Sequence, residues 1–134
     1  VAIKEAVPSE SRVRELVELC GDSLTVLSGD DPTCLRAMQA GARGVVSVAA
    51  NVAPRRFSEM CRLAARGNWP AALEIDETLR HLYGILFLET NPIPVKWALH
   101  RMALCGPGTR LPLLPLDKKH HEKLDQALQL LGLI

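Results

Sequence analysis

Short, nearly continuous apolar runs alternate with helix-length amphipathic segments over residues 1–66. The runs are rich in β-branched side chains and predict buried strands at residues 1–6, 23–28 and 44–48. Between them, apolar positions recur at helical spacing and stop at Gly21 and Gly41, where glycine favours a helix end. Apolar strands separated by helices are typical of a parallel sheet covered by helices. We therefore predict an α/β fold with three βα units, the last of which is completed by a helix beginning near Pro54.

After residue 66 the pattern contains helices only. Apolar positions three and four residues apart predict helices at residues 70–88, 95–104 and 118–131. The proline-containing residues 91–94 separate the first two, and the proline-punctuated segment 110–116 is expected to pack across an apolar surface. We therefore divide the chain into three βα units at residues 1–66 and a carboxyl-terminal helical region at residues 67–134.

Composition and charge exclude several classes of function. The formal net charge is +1 and aromatic residues make up only 4% of the chain, which fits neither a nucleic-acid groove nor a base-stacking surface. No apolar stretch reaches the roughly 18 residues of a membrane span. We therefore expect no nucleic-acid partner, no membrane partner and a cytoplasmic location. The four cysteines contain no C-x-x-C pair, and we interpret them as reduced core or interface thiols.

Lys4 is the residue whose position most strongly indicates chemistry. It lies near the carboxyl end of the first predicted strand, where βα-barrel enzymes place catalytic groups. Burial disfavours the charged form of a lysine, and a neutral amine is a nucleophile that can form a Schiff base with a carbonyl substrate. The alternative is a lysine whose ammonium reaches into water from the strand end. The neighbouring Glu5 should point to the opposite face of the strand, which makes it a weak candidate for tuning the amine.

The other polar residues favour structural interpretations. Asp30 and Asp31 precede a proline, so we expect them to cap the next helix instead of forming an acid pair or a metal site. His120 and His121 are adjacent and cannot both face one metal ion from a regular helix, which favours a solvated pair. Surface or packing positions are expected for His81, His100, Tyr83 and Trp97.

Five stretches of the chain also match a known family in order and spacing. They are residues 3–6, 27–31, 44–51, 91–97 and 110–113. Together they resemble the dihydrodipicolinate synthases, a family of pyruvate-dependent βα-barrel aldolases. The resemblance implies the carboxyl-terminal part of a (β/α)8 TIM barrel followed by a helical appendage. A complete barrel needs about 250 residues, so we expect this chain to be an enzyme fragment that lacks the amino-terminal half.

The same resemblance implies an activity and site residues. Lys4 matches the lysine that forms a Schiff base with pyruvate, and Gly29 and Val46 match positions that line the pyruvate pocket. The implied reaction condenses pyruvate with L-aspartate 4-semialdehyde to 4-hydroxy-tetrahydrodipicolinate, in lysine biosynthesis. It needs no metal and no diffusible cofactor. The family is commonly tetrameric, so we expect a homo-oligomer.

Two alternatives stay open. The family's paired threonines, relay tyrosines and substrate-binding arginine have no counterpart here, so the chain alone is expected to be catalytically incompetent. A related pyruvate-dependent aldolase, similar to N-acetylneuraminate lyase, would share the lysine strand. A non-catalytic assembly module would keep the fold without the chemistry.

Overall fold

A computed structural model describes residues 1–134, which form two parallel strands and six α-helices. The strands are β1 (Ala2–Glu5) and β2 (Thr25–Ser28). The helices are α1 (Glu10–Cys20), α2 (Cys34–Gln39), α3 (Pro54–Ala65), α4 (Trp69–Ile85), α5 (Ile93–Arg101) and α6 (His121–Leu130). Short 3₁₀ turns occupy Ala49–Asn51 and Lys118–His120. None of the helices combines the length and the apolar character that crossing a membrane requires.

The sheet is parallel, as predicted, but smaller than predicted. Lys4 of β1 lies beside Leu27 of β2, which fixes the register of the pair. The expected third strand is reduced to one bridge between Ser28 and Val45, supported by the Val46 amide, which donates to the Ser28 carbonyl at 2.8 Å. A full strand at residues 44–48 is therefore a wrong prediction. Pairing with β2 is confined to residues 43–46, and the chain enters the 3₁₀ turn Ala49–Asn51 soon after, so no ladder extends past the bridge.

Local capping explains where the first helices begin and end. The Ser9 hydroxyl accepts a hydrogen bond from the Arg12 amide at 3.3 Å at the start of α1, and Gly21 ends that helix with φ of 49°. Before α2, a carboxylate oxygen of Asp30 accepts hydrogen bonds from the Thr33 amide at 3.1 Å and the Thr33 hydroxyl at 2.6 Å. Asp30 thus stabilises the turn into α2, in line with the predicted capping role.

The core of the sheet region lies between β2 and the helices α1 and α2. Its buried side chains are Val13, Leu16, Val26, Ala37, Ala40 and Ala42. Ile3 of β1 packs against this cluster and is only half-buried, while Ala2 and Lys4 are exposed. The prediction that the first strand is buried is therefore wrong. No helix or strand of this chain covers the face of β1 that carries Lys4.

The chain forms two compact units, residues 1–47 with 55–77, and residues 48–54 with 78–134. The division into βα units and a helical region at residue 66 stays a prediction. In the second unit the largest fully buried side chains belong to leucines, namely Leu79, Leu82, Leu86, Leu124 and Leu128. Helices α5 and α6 pack together, and the Nε atom of Arg101 pairs with Asp125 across them at 2.7 Å.

The adjacent histidines before and in α6 differ from expectation. His120 and His121 are half-buried, so the prediction of a solvated pair is wrong. The Nε2 atom of His121 lies 3.1 Å from the Leu116 carbonyl, and its ring centroid lies 4.8 Å from that of Trp97. These contacts cover part of the ring. His81 and His100 are exposed and Tyr83 is buried, as predicted.

The proline-punctuated segment packs less closely than predicted. Leu116 is buried, whereas Leu111 and Leu114 remain 84% and 64% exposed. Within this chain the segment is therefore anchored at its end and does not lie along an apolar surface.

Candidate active site

The structure brings the three predicted site residues to one edge of the parallel sheet. Lys4 is the next-to-last residue of β1, Gly29 directly follows β2, and Val46 directly follows the bridge to Val45. Two backbone hydrogen bonds hold these segments side by side, from the Gly29 amide to the Glu5 carbonyl at 2.7 Å and from the Val46 amide to the Ser28 carbonyl at 2.8 Å. Because all three segments run in the same direction, their carboxyl ends meet at this edge.

The side chain of Lys4 runs directly over Gly29. A β-carbon built on Gly29 would lie 2.5 Å from Cε of Lys4, 3.0 Å from its Cγ and 3.0 Å from Cβ of Ala6. Carbon atoms in van der Waals contact are about 3.5–4.0 Å apart, so no side chain fits there without movement. The lysine and the glycine are therefore one packed unit.

The amine of Lys4 is not surrounded by apolar side chains, contrary to prediction, because Lys4 is exposed. Its methylene groups nevertheless occupy the space that a side chain at Gly29 would fill. Val46, at the same edge, is 46% exposed. A surface that presents an amine, a bare backbone and an apolar side chain can accept a small carbonyl compound only if further chain encloses it.

Glu5 turns away from Lys4, as predicted. Its carboxylate accepts a hydrogen bond from the Val7 amide at 2.8 Å and pairs with the Nε atom of Arg12 at 3.2 Å. The Val7 bond, with the Arg12 guanidinium as a further cause, lowers the pKa of Glu5 below its usual value of 4.5. This carboxylate therefore belongs to the packing of the β1–α1 loop.

The turn after β2 contains polar groups whose structural role the sequence did not reveal. Ser28 is 2% exposed, and its hydroxyl both donates to the Asp30 carbonyl and accepts from the Asp30 amide, each at 3.2 Å. These two bonds shape the backbone on both sides of Gly29. The only signal in the sequence was a small polar residue at a strand end, which is too common to be specific.

Asp31 is buried, at 3% exposure, instead of lying at a solvated helix cap. Two cysteines lie in its neighbourhood, Cys34 at the start of α2 and Cys61 in α3. Burial raises the pKa of both thiols, and the negative charge of Asp31 is a further cause of the raised pKa in each. All four cysteines are free thiols, and no group of three or more His, Cys, Asp or Glu side chains is arranged to hold a metal ion.

A small cavity of about 80 Å³ lies beside the β1–α1 loop, lined among others by Val7, Ser9, Ser28 and Arg36. Neither Lys4 nor Gly29 lines it. It is therefore separate from the edge that carries the amine.

Comparison with known proteins identifies the chain's relatives. Residues 1–131 match the model of the dihydrodipicolinate synthetase family. The 4-hydroxy-tetrahydrodipicolinate synthase of Alkalilimnicola ehrlichii is 52% identical over 132 residues, which cover 98% of this chain and 45% of the relative. The synthase of Nitrosococcus oceani is 50% identical over 129 residues, covering 96% of this chain and 44% of the relative.

Solved structures agree with this assignment. The dihydrodipicolinate synthase of Aquifex aeolicus superposes with a TM-score of 0.95 at 44% identity, covering 99% of this chain and 45% of that protein. The synthase of Acinetobacter baumannii, complexed with pyruvate, superposes with a TM-score of 0.95 at 42% identity, covering 100% of this chain and 46% of that protein.

The chain spans about half the length of the curated relatives it matches. The prediction of an α/β fold that forms the carboxyl-terminal part of a (β/α)8 barrel is confirmed by these superpositions. The predicted family is confirmed as well, because the family match covers residues 1–131 of the 134. The chain belongs to the dihydrodipicolinate synthetase family, of which it represents the carboxyl-terminal half.

Proposed function

We propose that this chain supplies the Schiff-base lysine of a 4-hydroxy-tetrahydrodipicolinate synthase, and that Lys4 is that lysine. The observation that carries the proposal is the place of Lys4 at the carboxyl edge of a parallel sheet, packed on Gly29, in a chain 52% identical to a synthase. Catalytic groups of βα-barrel enzymes lie at this edge. The relative solved with pyruvate supports a keto acid as the first substrate.

In the proposed reaction the Nζ atom of Lys4 attacks the ketone carbon of pyruvate, and the ketone oxygen leaves as water. The resulting iminium withdraws electrons, so the methyl group loses a proton and an enamine forms. The enamine carbon bonds to the aldehyde carbon of L-aspartate 4-semialdehyde, whose oxygen takes up a proton. The amino group of the semialdehyde then attacks the iminium carbon, which closes the ring and releases the Lys4 amine. The bonds formed and broken therefore involve only the lysine and the two substrates, with water as the leaving group, and the proton transfers are proposed to use acid–base groups of the amino-terminal half.

Gly29 and Val46 are proposed to line the pyruvate site. Both follow strand ends directly beside β1, and neither brings a charge that would compete with the substrate carboxylate. The exposed side chain of Val46 offers an apolar wall for the pyruvate methyl group.

The remaining parts of the site are proposed to come from an amino-terminal half like that of the relatives. β1 has a hydrogen-bonded neighbour on one side only, and an open strand edge is a template for pairing with further chain. Enclosure by that half would also cover the exposed Lys4 face. Assembly into a homo-oligomer, of which a tetramer is the expected form, and a cytoplasmic location complete the proposal.

The test is a chimera that joins the amino-terminal part of the Alkalilimnicola ehrlichii synthase, up to the matched region, to this chain. Treatment with pyruvate and borohydride should reduce the imine to a stable adduct on Lys4, located by peptide mass spectrometry. Lys4→Ala should abolish the adduct, whereas Lys123→Ala, an exposed lysine of α6, should leave it unchanged. Adduct formation that persists in Lys4→Ala would refute the assignment.

The second substrate is tested separately. With the adduct established, the chimera should consume pyruvate in the presence of L-aspartate 4-semialdehyde and should not cleave N-acetylneuraminate. The reverse preference would favour the related lyase. A folded chimera that forms no adduct with pyruvate would favour an assembly module.

A further inference from the structure

Gly29 differs from the other glycines that punctuate this half of the chain. Gly21 and Gly41 have φ values of 49° and 112°, which L side chains rarely adopt, so their backbone conformation explains the residue type. Gly29 does not lie in that left-handed region. The requirement at Gly29 is space, and the atom that fills the space is Cε of Lys4.

We infer that Gly29 is a positioning residue, whose missing side chain forms the channel along which the Lys4 side chain lies and so aims the amine. This inference rests on the proposed function of Lys4. Lysine has a flexible four-carbon stem with many rotamers, and an exposed lysine has no fixed direction of its own. Cγ and Cε of Lys4 lie 3.0 Å and 2.5 Å from the place that a β-carbon of Gly29 would take, so the missing side chain leaves room for this course of the lysine stem.

The chemistry makes this course of the stem useful. The nitrogen must approach the ketone carbon from a defined direction and lie about 3–3.5 Å from it, and a misplacement of about 1 Å can cost roughly 10²-fold in rate. A methyl group on Gly29 would move the end of Lys4 by at least the overlap with Cε. Because a lysine terminus moves easily, we expect the damage in reactivity and not in folding.

The experiment is Gly29→Ala in the chimera described above. The rate of pyruvate adduct formation should fall roughly 10- to 100-fold, and kcat should fall more than KM rises. The thermal midpoint should stay close to that of the parent. Gly44→Ala is the matched control, because a β-carbon there meets only Cδ2 of Leu27 at 3.5 Å, an ordinary contact. It should leave both the rate and the midpoint unchanged.

A second substitution separates the lysine contact from the neighbouring contact with Ala6. Ala6→Gly in the Gly29→Ala background removes the 3.0 Å overlap with Cβ of Ala6 and leaves the overlap with Lys4. The rate should therefore stay low. Recovery of the parental rate would assign the loss to Ala6 and overturn the inference, as would an unchanged rate in Gly29→Ala itself.

A further measurement does not depend on the proposed reaction. Limited acylation of the 134-residue chain with an amine-reactive ester should change the labelling rate of Lys4 relative to Lys123 several-fold between Gly29→Ala and the parent, because the lysine stem can no longer lie over residue 29. Equal relative labelling would contradict the positioning role even if pyruvate is the wrong substrate. Failure of the parental chimera to form an adduct, with a changed labelling ratio, would instead count against the proposed function alone.

Discussion

The two compact units of this chain differ in how exposed their central side chains are. In the unit built from residues 48–54 and 78–134, side chains such as Leu82, Leu124 and Leu128 are at most 2% exposed. In the unit with the sheet, the candidate site leaves Lys4 exposed and Val46 46% exposed. The helical unit therefore has a covered core, although Leu111 and Leu114 stay exposed at its surface, while the sheet ends in an open edge.

The difference separates what stabilises the chain from what is expected to react. A helix satisfies its backbone hydrogen bonds internally and needs only one apolar face covered. A parallel strand forms its backbone hydrogen bonds with neighbouring strands, and β1 has a neighbour on one side only. The site region is thus the part of the fold that depends most on further chain.

The largest effect is expected in the helical unit. Leu128→Ala should lower the free energy of unfolding by about 2–5 kcal/mol, because it removes a fully buried side chain and leaves a cavity. Leu130→Ala in the same helix, at 76% exposure, should change it by less than about 0.5 kcal/mol. Urea denaturation followed by circular dichroism measures both. A cost for Lys4→Ala comparable to that of Leu128→Ala would break the contrast between the two units.

The reactivity of the cysteines tests the comparison in a second way, because the most buried cysteine lies in the sheet unit. Cys34 is completely buried and its burial raises the thiol pKa, whereas Cys105 in the helical unit is exposed. At about pH 8, an alkylating reagent should modify Cys105 at least about tenfold faster than Cys34. Peptide mass spectrometry over time measures the two rates. In urea the two rates should become equal. Equal rates in the native chain would show that the sheet unit opens readily.

Two helix ends offer a matched pair of smaller effects. After α5, Ala103 has φ of 58°, and its amide and that of Leu104 donate to the His100 and Leu99 carbonyls. After α1, Gly21 has φ of 49° with nothing near the place of a β-carbon. Ala103→Gly should therefore stabilise the chain by about 1 kcal/mol, and Gly21→Ala should destabilise it by a similar amount. Thermal unfolding midpoints that move in the same direction for both variants would contradict this explanation.

The smallest expected effect concerns Glu5 at the site edge. Its pKa is lower in the folded chain than the usual 4.5, so its stabilising contribution is present above pH 4.5 and is lost as the pH falls through the folded value. Glu5→Gln should therefore reduce the loss of stability on acidification. Urea midpoints measured at several pH values on both sides of 4.5 test this, with Glu18→Gln in α1 as the charge-matched control. An acid dependence that is the same in Glu5→Gln and the parent would contradict the role of the Val7 hydrogen bond.

The sequence alone determined the order of the six helices, the first two strands with their parallel pairing, and the family, but it predicted a third strand that does not form. These features depend on local signals, namely apolar periodicity, glycine and proline positions and short ordered motifs, which need no knowledge of distant contacts. Gly21 and Ser9 are examples, because each acts on its own helix end. It also placed Lys4 at the carboxyl end of the first strand and turned Glu5 away from it, since side chains alternate along a strand.

Tertiary structure decided how far those elements are buried and which side chain lies over Gly29. Whether β1 is covered depends on which chain packs against it, and periodicity cannot report a partner that this chain does not contain. Asp31 is buried and the ring of His121 packs at a tilt against Trp97 for the same kind of reason, because their surroundings come from residues distant in sequence. The Lys4 side chain meets Gly29 only because the parallel register sets β1 beside β2, a pairing across more than twenty residues. The local sequence pattern thus identifies Lys4 as the candidate amine. The long-range pairing of β1 with β2 places its side chain over Gly29.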